Sequence, residues 1–271
     1  MEWRFKMETM DGRKIIDLSL PLGEEYPVTW PGHMYFQSKV FNYFENIDSI
    51  TQPKFQVTGR YHTRWLAMDE HTGTHFDAPA HFLPSSDSGL PDGSPAGDIT
   101  ADKVDISSFI GPACVISVTD LVGTEAPGIS PRITKKHIED WEANNRELKQ
   151  GDIVLFRADW DYFFFKKGYE GKKYCFNPFI LKEGDAWPAP SPEAVKYLVD
   201  KGIACAGTDG PSMGPADSGE ATHTAGLGKG IVFLEGMANL RALPATGAQF
   251  IFLPIRLLRG SGAPGRAIAL I

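Results

Sequence analysis

The chain has 271 residues, 42% of them hydrophobic and 23% charged, with a net charge of −7. A chain of this length buries roughly three quarters of the surface its unfolded form exposes, so it needs no disulfide to be stable. The acidic balance argues against nucleic acid or an anionic membrane as partner, and no apolar run reaches the ~18 residues of a membrane span.

The opening stretch MEWRFKMETMDGRK carries charges throughout and does not read as a signal peptide. Cys114, Cys175 and Cys205 are odd in number and lack any CxxC spacing, as expected of buried thiols in a reducing compartment. A cytoplasmic protein is expected. The first strand signal is KIIDLSL (14–20), and a second, RWLAMDE (64–70), runs straight into the histidine-rich segment HTGTHFDAPAHF (71–82). ACVISVTDL (113–121) is the next strand. TKKHIEDWEANNREL (134–148) is predicted as a helix with Ile138, Trp141 and Leu148 on one face. DIVLFRADW (152–160) is again a strand, followed by a long aromatic and Pro-rich stretch over 161–190 that reads as a lid, a binding loop or a subunit contact.

A second helix is predicted over 191–202, with a Ser cap, Pro at the first helical position, Glu193 in the first turn and a terminal Gly. GIACAGTD (202–209), QFIFLPIRLL (249–258) and RAIALI (266–271) complete the strands. Strands outnumber helices, so the expectation is one α/β domain over 1–271, built on a mixed, partly barrel-like sheet with a few flanking helices. Neither GxGxxG nor GxxxxGK[ST] follows any strand, which argues against a nucleotide cofactor.

The segment 71–82 carries the chemistry. Three of the chain's seven histidines, His71, His75 and His81, fall within eleven residues, with Asp77 between them. Gly73 permits a tight turn between the first two imidazoles, and Pro79 stiffens the exit. A single histidine is more often a cap or a solvated loop residue. This spacing, in one glycine-containing loop after a strand, instead suits a divalent ion such as Zn²⁺ or Mn²⁺, because two imidazoles and a carboxylate form a common hydrolase ligand set.

HTGTHFDAPAHF resembles the His-x-Gly-Thr-His-x-Asp-x-Pro-x-His signature of the metal-dependent cyclase-like hydrolases, the superfamily of bacterial kynurenine formamidases and isatin hydrolases. Further segments resemble the family in the same order: WPGH (30–33), FRADWD (156–161), GTDGPSMG (207–214), THTAGLGKGIVFLEGMANL (222–240) and RGSGAPGRAIAL (259–270). Length and both ends of the chain place it nearer the isatin hydrolase branch.

The resemblance implies a cyclase-like swivelling β/β/α fold and one or two divalent ions, Mn²⁺ or Zn²⁺, per subunit. It implies that His71, His75 and Asp77 bind the first ion. His223 and Glu235, twelve residues apart, would complete a second site with Asp77 bridging. Isatin hydrolases lack a carboxylate at the position of Glu235, and this sequence keeps one. His81 is implied as general base or acid, and Trp65, Asp209 and Ser212 as substrate-binding positions. His223 lies in a Gly/Thr-rich stretch with no evident helical face.

The expected reaction is hydrolysis of a C–N bond in a small cyclic or N-acyl amide by a metal-activated water, with activity falling below about pH 6 as the ligands protonate. An aryl formamide, a lactone or an imide is an alternative substrate, and a catalytically silent metal-binding sensor is the alternative outside enzymes. No GxSxG occurs and no cysteine lies near a histidine in sequence, which disfavours a covalent nucleophile. Family members suggest a homodimer or larger homo-oligomer with loops shared between subunits.

Overall fold

A computed structural model describes residues 9–27, 30–44 and 60–271. Of the charged opening stretch, residues 1–8 lie outside the described residues. The strands are β1 (Thr9–Met10), β2 (Arg13–Asp17), β3 (Gln37–Tyr43), β4 (His62–Ala67), β5 (His75–Asp77), β6 (Ile110–Ser117), β7 (Arg132–Ile133), β8 (Ile153–Arg157), β9 (Ala189–Pro190), β10 (Cys205–Thr208), β11 (Val232–Glu235), β12 (Gln249–Pro254) and β13 (Gly262–Leu270). The helices are α1 (Lys135–Asn144), α2 (Asp161–Phe164), α3 (Gly168–Lys172), α4 (Pro192–Asp200) and α5 (Gly219–Leu227).

The main sheet runs β1-β2-β13-β12-β6-β8-β10-β11-β5, and a further antiparallel pairing of β5 with β13 closes seven of these strands into a barrel. Closure is achieved by the long β13, whose first residues pair with β5 and whose last pair with β2. β6, β8, β10 and β11 are mutually parallel, while β5, β12 and β13 pair antiparallel to their neighbours. The mixed barrel-like α/β sheet expected from the sequence is the architecture found.

Strand alternation sorts the core into two layers. Ala113 and Val115, Ile153 and Leu155, Val232 and Leu234, Phe250 and Phe252, and Phe76 fill one cluster, the barrel interior. The intervening residues, Cys114 and Ile116, Val154 and Phe156, Ala206 and Phe233, face outward under Ile138 and Trp141 of α1 and Ala194, Val195 and Leu198 of α4. The predicted helices form where expected. Ser191 accepts from the Ala194 amide at its cap, while α1 ends at Asn144, leaving the buried Leu148 beyond it.

Four readings are corrected. The strand signal at 64–70 ends at Ala67, and among the described residues β4 pairs with β3 alone, in a separate two-stranded sheet. The stretch 161–190 contains α2, α3 and a π-helical turn over Asn177–Leu181, and it buries Phe164, Tyr174 and Trp187 in the outer core. His223 sits on α5, whose Gly- and Thr-rich composition hides a helix held by packing. The segment 75–77, read from sequence as a loop, is the strand β5. No helix among the described residues is long and apolar enough to cross a membrane.

Candidate metal centre

The sequence HTGTH makes a clamped turn into β5. Gly73 adopts φ +66°, a left-handed conformation that favours glycine. The Thr74 hydroxyl accepts from the Leu20 amide at 2.8 Å and donates to the Gly236 carbonyl at 2.5 Å, tying the turn to the loop after β11. Alternation along β5 then sends Phe76 into the barrel and His75 and Asp77 to the outer face. Antiparallel pairing sets Glu235 opposite His75, and Gly262 opposite Asp77. Pro79 opens a short 3₁₀ turn that brings His81 back toward the same face.

Each of three imidazoles has one nitrogen engaged outside the cluster. His75 Nδ1 donates to the Gly73 carbonyl at 2.9 Å, His223 Nδ1 to the Gly219 carbonyl at 2.8 Å, and His71 Nε2 lies 2.9 Å from Ser261 Oγ. Their other nitrogens converge on two carboxylates. His71 Nδ1 is 2.9 Å from Asp77 Oδ1, and His75 Nε2 is 3.6 Å from both Asp77 Oδ1 and Glu235 Oε2. His223 Nε2 is 3.5 Å from Asp77 Oδ2 and 3.1 Å from Glu235 Oε1. The Met213 amide at 2.6 Å and the Ser212 hydroxyl at 3.1 Å also donate to Glu235 Oε1. The His81 ring lies 4.0 Å, centroid to centroid, from His71.

Two groups of donor atoms each lie within 4.8 Å of one another: His71, Asp77 and His81, and His75, Asp77 and Glu235. Asp77 belongs to both. The structure therefore brings together all six residues expected as ligands or base, but divides them differently from the expected His71, His75 and Asp77 set. It places His81 within donor distance of His71 and Asp77.

These groups polarise one another. Burial alone would raise the Asp77 carboxyl, but His81, His223 and His71 hold it well below the usual carboxylate range. Burial likewise works against the His223 imidazolium, yet the neighbouring Asp77 and Glu235 carboxylates lift it to about 10. His71 is raised against burial by Asp77. Burial, reinforced by His71, pushes His75 and His81 below the ordinary histidine value.

The cluster has the features of a cation site. Asp77 is fully buried, and its Oδ2 has no hydrogen-bond partner. Two carboxylates buried side by side are costly without an opposing charge. Mixed imidazole and carboxylate donors, each imidazole fixed by an outer partner, match the needs of Zn²⁺ or Mn²⁺. The residues fit a divalent ion.

The cluster forms the floor of a cleft of ≈350 Å³ with apolar walls that include Trp30, Phe82, Phe179 and Pro211. Trp30 and Phe179 meet at 4.3 Å between centroids, and Phe82 stacks on His223 at 4.1 Å and 10°. Of the three positions expected to bind substrate, Ser212 lines the cleft. Trp65 and Asp209 do not. Trp65 lies on β4, 61% exposed and stacked on Phe41 at 5.1 Å. Asp209 accepts from the Ala158 and Asp159 amides at 3.0 and 2.8 Å, joining the ends of β10 and β8, and burial raises its carboxyl to about 8 against those bonds. The sequence reading missed Phe82, Phe179, Glu70 and Ser261. The position of Phe82, directly after His81, was the one available signal. His33, left without a role there, lines the cleft, with its Nδ1 3.3 Å from Asp69 Oδ1.

Residues 16–215 match the Cyclase family. The chain belongs to that family. Among its cyclase-family relatives, an isatin hydrolase of Roseibium aggregatum is 32% identical over 214 residues, covering 76% of this chain and 74% of its own. A kynurenine formamidase of Bacillus mycoides is 30% identical over 254 residues, 93% of this chain and 95% of its own. The crystal structure of isatin hydrolase A from Labrenzia aggregata bound to benzyl benzoate superimposes with a TM-score of 0.72 at 27% identity, covering 95% of this chain and 93% of that one. These relatives are hydrolases, and the superposition shows that isatin hydrolase A shares the fold described above.

Proposed function

We propose that this cyclase-family chain is a metal-dependent hydrolase that cleaves a C–N bond of a small cyclic amide or an N-acyl arylamine. The observation that carries this reading is the meeting of imidazoles and two buried carboxylates on the floor of an aromatic-walled cleft. His71, His75, Asp77, His223 and Glu235 would hold one or two divalent ions, Mn²⁺ or Zn²⁺. An ion bound there supplies a lowered pKa for water, from 15.7 toward about 7, and charge to polarise a carbonyl.

The chain's own residues do the remainder. His81 is neutral near pH 7 because burial depresses its pKa, so it can take a proton from the attacking water and pass it to the leaving nitrogen. The walls of Trp30, Phe82 and Phe179 suit a flat or aromatic substrate and restrict bulk water. An aryl formamide is the second reading. It is favoured by the near-complete coverage of the kynurenine formamidase relative and by the carboxylate of Glu235 within the cluster. A panel of cyclic amides, formanilides and lactones assayed with the metal-loaded protein separates these readings, and turnover of none of them would leave a silent metal-binding protein.

The same proposal includes a homo-oligomer. The β3–β4 hairpin exposes Phe41, Tyr43, Trp65 and Leu66, and a lone two-stranded hairpin is at best marginally stable in water. Light scattering that reports a monomer at micromolar concentration would contradict this part.

A further inference from the structure

Glu70 and Ser261 are 191 positions apart in the chain, yet they meet beside the cluster. The Ser261 amide donates to Glu70 Oε1 at 3.0 Å, and its hydroxyl donates to the same oxygen at 2.5 Å. A hydroxyl has one proton. With that proton committed to a carboxylate, Ser261 Oγ presents only lone pairs to its other neighbours, His71 Nε2 at 2.9 Å and His81 Nδ1 at 3.5 Å. His71 must then donate from Nε2, so that Nδ1, 2.9 Å from Asp77 Oδ1, is the nitrogen whose proton gives way to an ion. His81, at the outer limit of a hydrogen bond, is biased toward Nδ1–H and a bare Nε2.

The surrounding backbone fixes this hydroxyl in place. A Cβ at Gly260 would stand 2.8 Å from Glu70 Oε2, and one at Gly262 would stand 2.5 Å from His71 Cε1 and from the Phe76 carbonyl. The flanking glycines therefore allow the segment to press against both side chains. The Ala101 amide donates to the Gly260 carbonyl and the Ala78 amide to that of Ser261, each at 2.8 Å. Without Glu70 the hydroxyl proton is free to turn toward His71 Nε2, forcing the other tautomer and capping Nδ1 with a hydrogen.

We propose that Glu70 and Ser261 act in series as a positioning pair that fixes the tautomer of His71, and secondarily of His81, so that the cluster can take a divalent ion. This rests on the reading of the cluster as a metal centre.

The test is Mn²⁺ and Zn²⁺ affinity of the intact chain, measured by competition with a chelator, together with the visible spectrum of the Co²⁺-loaded protein. Ser261→Ala and Glu70→Leu should each lower affinity about tenfold to a hundredfold and alter the Co²⁺ spectrum. The double variant should be no weaker than Ser261→Ala alone, because the two residues act through one hydroxyl. Ser261→Thr and Glu70→Gln, which keep the hydroxyl and the acceptor oxygen, should bind like the parent. If Ser261→Ala does not fold, as judged by circular dichroism, Ser261→Cys carries the same expectation. Parent-like affinity in Ser261→Ala or Glu70→Leu, or losses that multiply in the double variant, would overturn the positioning pair alone. A parent chain that takes up no ion would overturn the metal-centre reading and this inference with it.

Discussion

In the proposed function His81 would carry the chemistry and leave the ion to the other five side chains. It lies beside His71, but it ends a 3₁₀ turn instead of sitting on β5, and burial lowers its pKa. His81→Ala should therefore retain the metal, measured by elemental analysis, and lose about a hundredfold or more in kcat, the usual worth of a general base. Loss of the ion instead would make His81 a ligand. Asp77→Asn removes the oxygen donor common to both donor groups, and should abolish ion uptake without unfolding the barrel. The spacing of His71, His75 and Asp77 was legible in the sequence because all three lie in one turn and strand. The roles of Ser261 and Glu70 were not, since nothing local couples residues from opposite ends of the chain. Trp65, six residues before His71, lies on an exposed hairpin outside the cleft of its own chain.

The helix α5 and the strand β11 carry the two donors contributed by the second half of the sequence. Gly226 is where they touch: a Cβ there would stand 2.4 Å from Phe233 Cζ and 2.7 Å from Ile231 Cγ2. Gly226→Val should push α5 off β11, cost about 1–3 kcal/mol of stability from overpacking, and separate His223 from Glu235. A thermal melt and the number of ions bound per chain check both effects, and an unchanged melt and stoichiometry would contradict the packing described. The five runs that form β6, β8, β10, β12 and β13 were readable as strands because burial in a barrel wall demands largely apolar sequence. β5 was hidden by its polar ends and three-residue length. α5 was hidden by glycine and threonine, which disfavour a helix in isolation, and tertiary packing against α4 and β11 overrides that preference.

The closed barrel holds strongly interacting ionisable groups in a low-dielectric site, and this links folding to pH and to metal. In the metal-free chain His223 titrates at about 10 against an ordinary 6.5. A raised histidine pKa stabilises the fold fully below about 6.5, and that contribution is lost as pH rises toward 10. The melting temperature of stripped protein should accordingly fall across this window, and His223→Asn should flatten the slope. An ion that binds only the folded chain adds about 2.7 kcal/mol at a hundredfold excess over its Kd, and it must displace the His223 proton, so its affinity should rise with pH.

The most direct test of the whole account is hydrolysis measured on fully demetallated protein during titration with Mn²⁺ or Zn²⁺. The account predicts no turnover of a cyclic amide or formanilide by the stripped chain, and activity that returns and saturates at one or two ions per subunit. Turnover that persists without any metal would contradict it.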